Sequence, residues 1–174
     1  MFLETLEDGV PRFTVVGAVR MAMPQDEEGL LLFGYDTWGE GRAAETFLEE
    51  AVAAPNHRRG TRFLLEDLDH QSVAKVGVLR FARGVVGLYS IATRPEMRGK
   101  GYGSVLVRAV MELLRLEEPE TRFLLFSEVA PDMYERLGFR VLREEFQRFR
   151  PSVAMATGDT ELTEFEAPYL DQYF

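Results

Sequence analysis

The segment LYSIATRPEMRGKGYGSVLVRAV, residues 88–110, constrains the chain more than any other. Its first six residues read as a strand, rich in β-branched and aromatic side chains. Pro95 opens a turn, and Arg98-Gly99-Lys100-Gly101-Tyr102-Gly103 runs straight into an apolar helix. A strand, a glycine loop and a helix N-terminus in succession make an anion site. The glycines let the backbone curl so that its N–H groups converge, and the helix dipole adds positive potential at that point. Arg98 and Lys100 add charge, so a diphosphate is the natural guest. Two common phosphate loops do not fit. A Walker A loop needs Ser or Thr after Gly-Lys, but Gly101 follows Gly99-Lys100, and Arg94 stands at the first glycine position. The dinucleotide fingerprint would start at Gly99 but meets Ser104 where its last glycine belongs.

Around this loop the pattern alternates helix and sheet. Residues 12–20 and 29–35 read as strands joined by the turn PQDEEG, and residues 36–41 as a loop carrying Trp38, the only tryptophan. Residues 42–54 read as a helix with Ala43, Ala44, Phe47, Leu48, Ala51 and Val52 on one face and Glu45, Glu49 and Glu50 on the other; Pro55 stops it. Residues 61–68, 73–81 and 85–93 read as strands in tight hairpins. Residues 101–116 form the clearest helix. Its polar residues Ser104, Arg108, Glu112 and Arg115 make one narrow stripe, which predicts burial over most of the circumference. A strand at 122–127, a short helix at 131–137 capped by Gly138 and a long final strand at 139–149 follow. The tail, residues 149–174, ends in aromatics and is expected to be a last strand, a cover over the cleft or a dimer contact. A strand–helix–strand unit after a hairpin brings in a parallel neighbour. The expected fold is therefore α/β (α+β): a mixed, mainly antiparallel sheet flanked by helices, in a single domain over residues 1–174.

Composition narrows the function. Twenty Lys and Arg against 29 Asp and Glu give a net charge of -9, which disfavours nucleic acid and anionic membranes as partners and favours cations, amines included. With no cysteine there is no thiol nucleophile and no Cys-based metal site, and two histidines, His57 and His70, do not form a metal motif, so no metal is expected. Both lie in loops and read as exposed or structural. The first residues lack a signal-peptide pattern and no long apolar span occurs, so the cytoplasm is the expected location.

Arg98, Gly101 and Gly103 satisfy the pattern Arg/Gln-x-x-Gly-x-Gly/Ala, and here the sequence resembles the GNAT superfamily of N-acetyltransferases. Residues 91–97, IATRPEM, look like that family's strand and connecting loop ahead of the glycines. LLFSEVAPDMYERLGF, residues 124–139, resembles its second signature: a strand, a short helix with a Tyr, then Leu-Gly-Phe. The resemblance implies a parallel strand pair that splays apart around acetyl-CoA, an acetyl-CoA-dependent transfer to a primary amine by direct attack, and, by analogy, a homodimer. The acceptor is a small-molecule or protein amine. The alternative is a non-catalytic CoA-binding sensor or interaction module with the same fold; a Rossmann-type nucleotide domain survives only if the loop is misassigned.

Carried over residue by residue, the resemblance gives the backbone of Arg98, Gly99, Lys100, Gly101, Tyr102, Gly103 and Ser104 to the pyrophosphate. It gives Ile91, Ala92 and Thr93 to the pantetheine arm, as an added strand with an oxyanion-stabilising N–H. Tyr134 would protonate the departing thiolate. Ser127 stands where the family often has an Asn that contacts the pantetheine or the backbone. The attacking ammonium must first lose a proton, and Glu128 and Glu66 are the candidate bases, with Tyr89 positioning a water. The acceptor is expected near Tyr35 and Trp38, where Asp36 and Glu40 would suit a cationic amine. Arg58 and Arg59 are within reach of the 3′-phosphate of CoA on this reading.

Overall fold

The computed structural model describes residues 2–3, 15–54, 59–81, 84–148 and 151–170. Strand β1 (Phe2–Leu3) pairs with β2 (Val15–Val16), and β3 (Ala18–Met21) starts the main sheet. Helices α1 (Glu27–Leu32), α2 (Tyr35–Trp38) and α3 (Ala44–Ala53) follow. Strands β4 (Thr61–Glu66), β5 (Ser72–Arg80) and β6 (Val85–Thr93) form the hairpins, and α4 (Tyr102–Glu117) crosses to β7 (Arg122–Ser127). Helix α5 (Pro131–Glu135), β8 (Phe139–Val141), β9 (Val153–Thr157) and α6 (Ala167–Leu170) complete the order. The seven-stranded sheet runs β3-β4-β5-β6-β7-β9-β8, with β6 and β7 parallel and every other pair antiparallel. This is the mixed, mainly antiparallel sheet expected from the hairpin and crossover pattern. Among the described residues no helix is long and apolar enough to cross a membrane.

Alternation along the strands divides the core in two. On one face Val76, Val78, Val86, Leu88, Phe123 and Leu125 meet the inner side of α4, where Leu106, Val107 and Val110 are fully buried. The other face, with Leu79, Tyr89, Leu124, Ala154 and Ala156, is covered partly by the end of the chain. There Phe81 stacks on Tyr169 at 4.5 Å, and Arg122 holds Glu166 with two bonds of 2.9 and 2.7 Å.

Four expectations are corrected. Residues 29–35 are not a strand: α1 occupies most of them, then a turn and the start of α2. A short continuous apolar run does not by itself separate a strand from a buried helix, and here only Leu30 of Leu30–Leu32 is fully buried. The 36–41 loop begins as helix, since α2 extends to Trp38. The long last strand is three residues, β8; the chain then turns back, and β9 from the tail inserts between β7 and β8. Gln147 closes this turn, donating to the carbonyls of Leu142 (2.9 Å) and Ala154 (3.0 Å) and accepting from the Ala154 N–H (2.7 Å). The burial faces of two helices are narrower than expected, because Val52 of α3 and Leu113 and Leu116 of α4 are exposed. Pro55, His57, Arg58 and residues 171–174 lie outside the described residues.

Arg20 of β3 bridges two carboxylates, Asp26 and Glu66, each at 2.7 Å. The Arg20 hydrogen bond, with the Met23 N–H behind it, brings Asp26 down to about 2 from an ordinary 3.8. A depressed carboxylate stabilises the fold above its unfolded pKa, and that stability is lost as pH falls through the folded value. Asp26→Asn is therefore expected to flatten the loss of thermal midpoint between about pH 4 and pH 2. An acid-side slope identical to the native one would show that the bridge contributes nothing.

Candidate functional site

Strands β6 and β7 pair only from Val85↔Arg122 to Leu88↔Leu125, although β6 runs on to Thr93 and β7 to Ser127. They part where β6 bulges: Gly77 faces Tyr89 and Lys75 faces Ala92, so Ser90 and Ile91 together oppose Val76. Ser90 sits at φ +47°, unusual for a non-glycine residue. Beyond the bulge β6 keeps its partner β5 on one side and presents an open edge on the other. A cleft of about 490 Å³ occupies the gap, reaching from Trp38 and α3 to Tyr134.

The glycine loop lies at the far end of β6. Gly99 (φ +74°) and Gly101 (φ +88°) take the left-handed conformation that favours glycine. Gly101 caps α4, and its carbonyl accepts from the Val105 N–H and the Ser104 hydroxyl. The first-turn N–H groups of α4 have no partner within the helix and point out of its N-terminus. A Cβ on Gly103 would come within 3.0 Å of the Thr93 hydroxyl, so glycine there lets the helix approach the end of β6. Arg98 turns away from the loop: it donates to the Thr93 carbonyl (3.1 Å) and pairs with Asp36. Lys100 is exposed, and so is Arg59.

The second signature reaches the same cleft from β7. Ser127 is buried, and its hydroxyl accepts from the Ala130 N–H at 3.3 Å, shaping the turn into α5. Glu128 follows, exposed at the rim. Tyr134 is 7% exposed, lies edge-on to Phe139 and lines the cleft. Burial pushes its hydroxyl well above the ordinary phenol value, so it stays protonated. Tyr89 also lines the cleft and lies across Gly77, where a Cβ would meet its ring at 2.3 Å.

Opposite stands a wall from α2 and α3. Trp38, Phe47, Ala51 and Ala54 line it with Glu40, Arg42 and Glu50. Arg42 pairs with Glu50 and donates to the carbonyls of Trp38 and Gly39, fixing the turn between the two helices. With Glu128, the described lining holds three carboxylates and one guanidinium, already paired.

The structure thus brings Trp38, Tyr89, Ile91, Ser127, Glu128 and Tyr134 into one cleft. Of the catalytic and acceptor candidates, it does not bring two there. Glu66 is held by Arg20 at the β3–β4 edge, and Tyr35 is a brace, its hydroxyl bonded to the Arg42 carbonyl and its ring edge-on to Phe47 at 5.3 Å. Ala92 and Thr93 continue β6 past the lining, Ala92 buried and Thr93 paired with Ala74. His70 is exposed in the β4–β5 turn. Glu66→Gln is expected to leave kcat within about twofold and cost under about 1 kcal/mol of stability, as a part-exposed ion pair does; a large fall in kcat would return Glu66 to the chemistry. Sequence reading missed the inner side of α3: Glu50 looked like a solvated helix face and Ala54 like the helix end.

An acetyltransferase (GNAT) domain model matches residues 44–141. Solved structures share the fold. A GNAT-family acetyltransferase from Staphylococcus aureus superposes with a TM-score of 0.60 at 14% identity, over 82% of this chain and 98% of that one. A spermidine N-acetyltransferase chimera from Vibrio cholerae and hSSAT gives 0.63 at 16%, over 80% and 94%. An Escherichia coli GNAT-family N-acetyltransferase in complex with CoA gives 0.60 at 16%, over 87% and 84%. No curated protein matches in sequence at significance.

Proposed function

The chain belongs to the GNAT family of acetyltransferases, and on that premise we propose that it acetylates a cationic primary amine with acetyl-CoA in the cleft between β6 and β7. The observation that carries this reading is the open edge of β6, lying between a glycine-rich helix N-terminus at one end and buried Tyr134 at the other. The residues fit the cosubstrate. The first turn of α4, from Gly101 to Ser104, holds the diphosphate on backbone N–H groups. The β6 edge from Tyr89 to Thr93 pairs with the pantetheine amides as an added strand. Acetyl-CoA supplies a thioester with a good leaving group.

An N–H on the β6 edge polarises the thioester carbonyl and steadies the charge that develops on its oxygen. The amine attacks directly; the chain has no cysteine to carry an acyl group. It must be neutral to attack, and an alkylammonium has a pKa of about 10, so its proton leaves through water toward the carboxylate at the rim, Glu128. As the adduct collapses the C–S bond breaks, and Tyr134 gives its hydroxyl proton to the departing thiolate. Tyr134 regains one from the newly bonded nitrogen, which sheds its second proton as the amide forms. Glu40, Glu50 and Glu128 leave the acceptor side negative, and Trp38 and Phe47 offer ring faces to a cation and its apolar body.

Thiol release from acetyl-CoA across a panel of amines tests this. Release with spermidine, cadaverine or 2-phenylethylamine, and about tenfold less with acidic amino acids, is expected. Retention of acetyl-CoA with no release on any amine would favour a non-catalytic CoA-binding module. With an active amine, Glu128→Gln is expected to lower kcat about a hundredfold, the lower end of what a general base contributes. An unchanged rate across pH would remove Glu128 from the proton path.

A further inference from the structure

Lys75, in the middle of β5, is 5% exposed, and no carboxylate among the described residues pairs with it. A buried, unpaired ammonium is costly, so its surroundings matter. Its Nζ donates to the Leu30 carbonyl at 2.6 Å, in the last turn of α1, which has no basic residue of its own there. The same nitrogen lies 5.9 Å from the centre of the Trp38 ring. Gly34 joins α1 to α2 and lies against that ring: a Cβ there would come within 2.4 Å of the indole. The indole is therefore located by the Gly34 backbone and by the Lys75 ammonium, and Trp38 forms part of the cleft wall.

We propose that Lys75 is a positioning residue for the acceptor wall: its charged ammonium holds the end of α1 and the Trp38 indole in place, and the wall loosens when that charge is lost. This rests on the reading of Trp38 as acceptor wall. A cation at a helix C-terminus and over an indole face is attracted by both, and a neutral amine keeps one hydrogen bond but loses both attractions. The device operates in a useful range, because burial, reinforced by the like charge of Arg62, brings Lys75 down to about 7. Among the described residues, the other charged or titratable groups on this sheet face are Arg62 and Glu66 of β4, Arg20 of β3, which bridges Glu66 and Asp26, and Tyr89 of β6, with Glu27 of α1 paired to Arg62 at 3.9 Å. Tyr89 is pushed up by burial and stays neutral through this range. Among these groups, Lys75 is the one that burial brings into the middle of this range.

Trp38 is the only tryptophan, so its fluorescence reads the device without acetyl-CoA or amine, and the result stands apart from the success of the acetyltransfer reading. Emission of the full chain is titrated from pH 5.5 to 9, with acrylamide quenching at each end. The expected result is a single transition near pH 7, with quenching about twofold greater at pH 9. Lys75→Met and Lys75→Arg are both expected to abolish the transition. Lys75→Arg, which keeps a charge throughout, should also keep the low-quenching state at pH 9, so the test survives if Lys75→Met does not fold. His57→Asn and His70→Asn should leave the transition intact. A flat wild-type titration, a transition that persists in either lysine variant, or one lost in a histidine variant would overturn the proposal.

Discussion

Gly101→Glu is expected to abolish acetyl-CoA binding, weakening it by about a thousandfold or more. The substitution places a carboxylate where the diphosphate would meet the α4 N-terminus. Two charges about 4 Å apart near a protein surface interact by about 4 kcal/mol, and each 1.4 kcal/mol is tenfold in affinity. Gly101 sits at φ +88°, so any side chain there also carries backbone strain of about 1–2 kcal/mol. Gly101→Ala separates the two effects: it should share the drop in thermal midpoint but keep most of the affinity. Calorimetric titration of both variants checks this. Undiminished affinity in Gly101→Glu would mean that the diphosphate lies elsewhere.

Tyr134→Phe is expected to lower kcat by about a hundredfold while acetyl-CoA affinity changes less than about threefold, in the range lost with a general acid. The ring fills the space beside Phe139 and lines the cleft, and both roles survive in phenylalanine. Only the hydroxyl is removed. Because burial keeps that hydroxyl protonated, the native enzyme should show no loss of rate from its ionisation up to at least about pH 9. The wild-type pH–rate profile and single-turnover rates for both proteins check this. Equal rates across pH would assign the proton to another group or to water.

Much of the fold was legible because its signals are local. The glycine loop, β6 and α4 declare themselves within 23 residues, and the parallel β6–β7 pair follows from the crossover between hairpin and helix. Residues 29–32 were ambiguous because three consecutive leucines carry no period. A last strand in the tail was one expectation, but the place of β9 was not legible, because its neighbours, β7 and β8, are chosen by packing and by a turn closed through Gln147, none of which marks the sequence at residues 153–157. The candidate site divides in the same way. Tyr134, Ser127 and Glu128 sit in one contiguous signature. Glu66 stood among the candidate bases because its partner Arg20 is 46 residues away, and nothing in the strand pattern around Lys75 marks its contacts with Leu30 and Trp38.

On the proposed reading the splayed β6 edge and the glycine loop together hold acetyl-CoA. Calorimetric titration of the protein with acetyl-CoA, NADH and ATP in parallel tests it most directly. Saturable one-to-one binding of acetyl-CoA is expected, with no heat of binding for NADH or ATP. Binding of NADH with none of acetyl-CoA would contradict it.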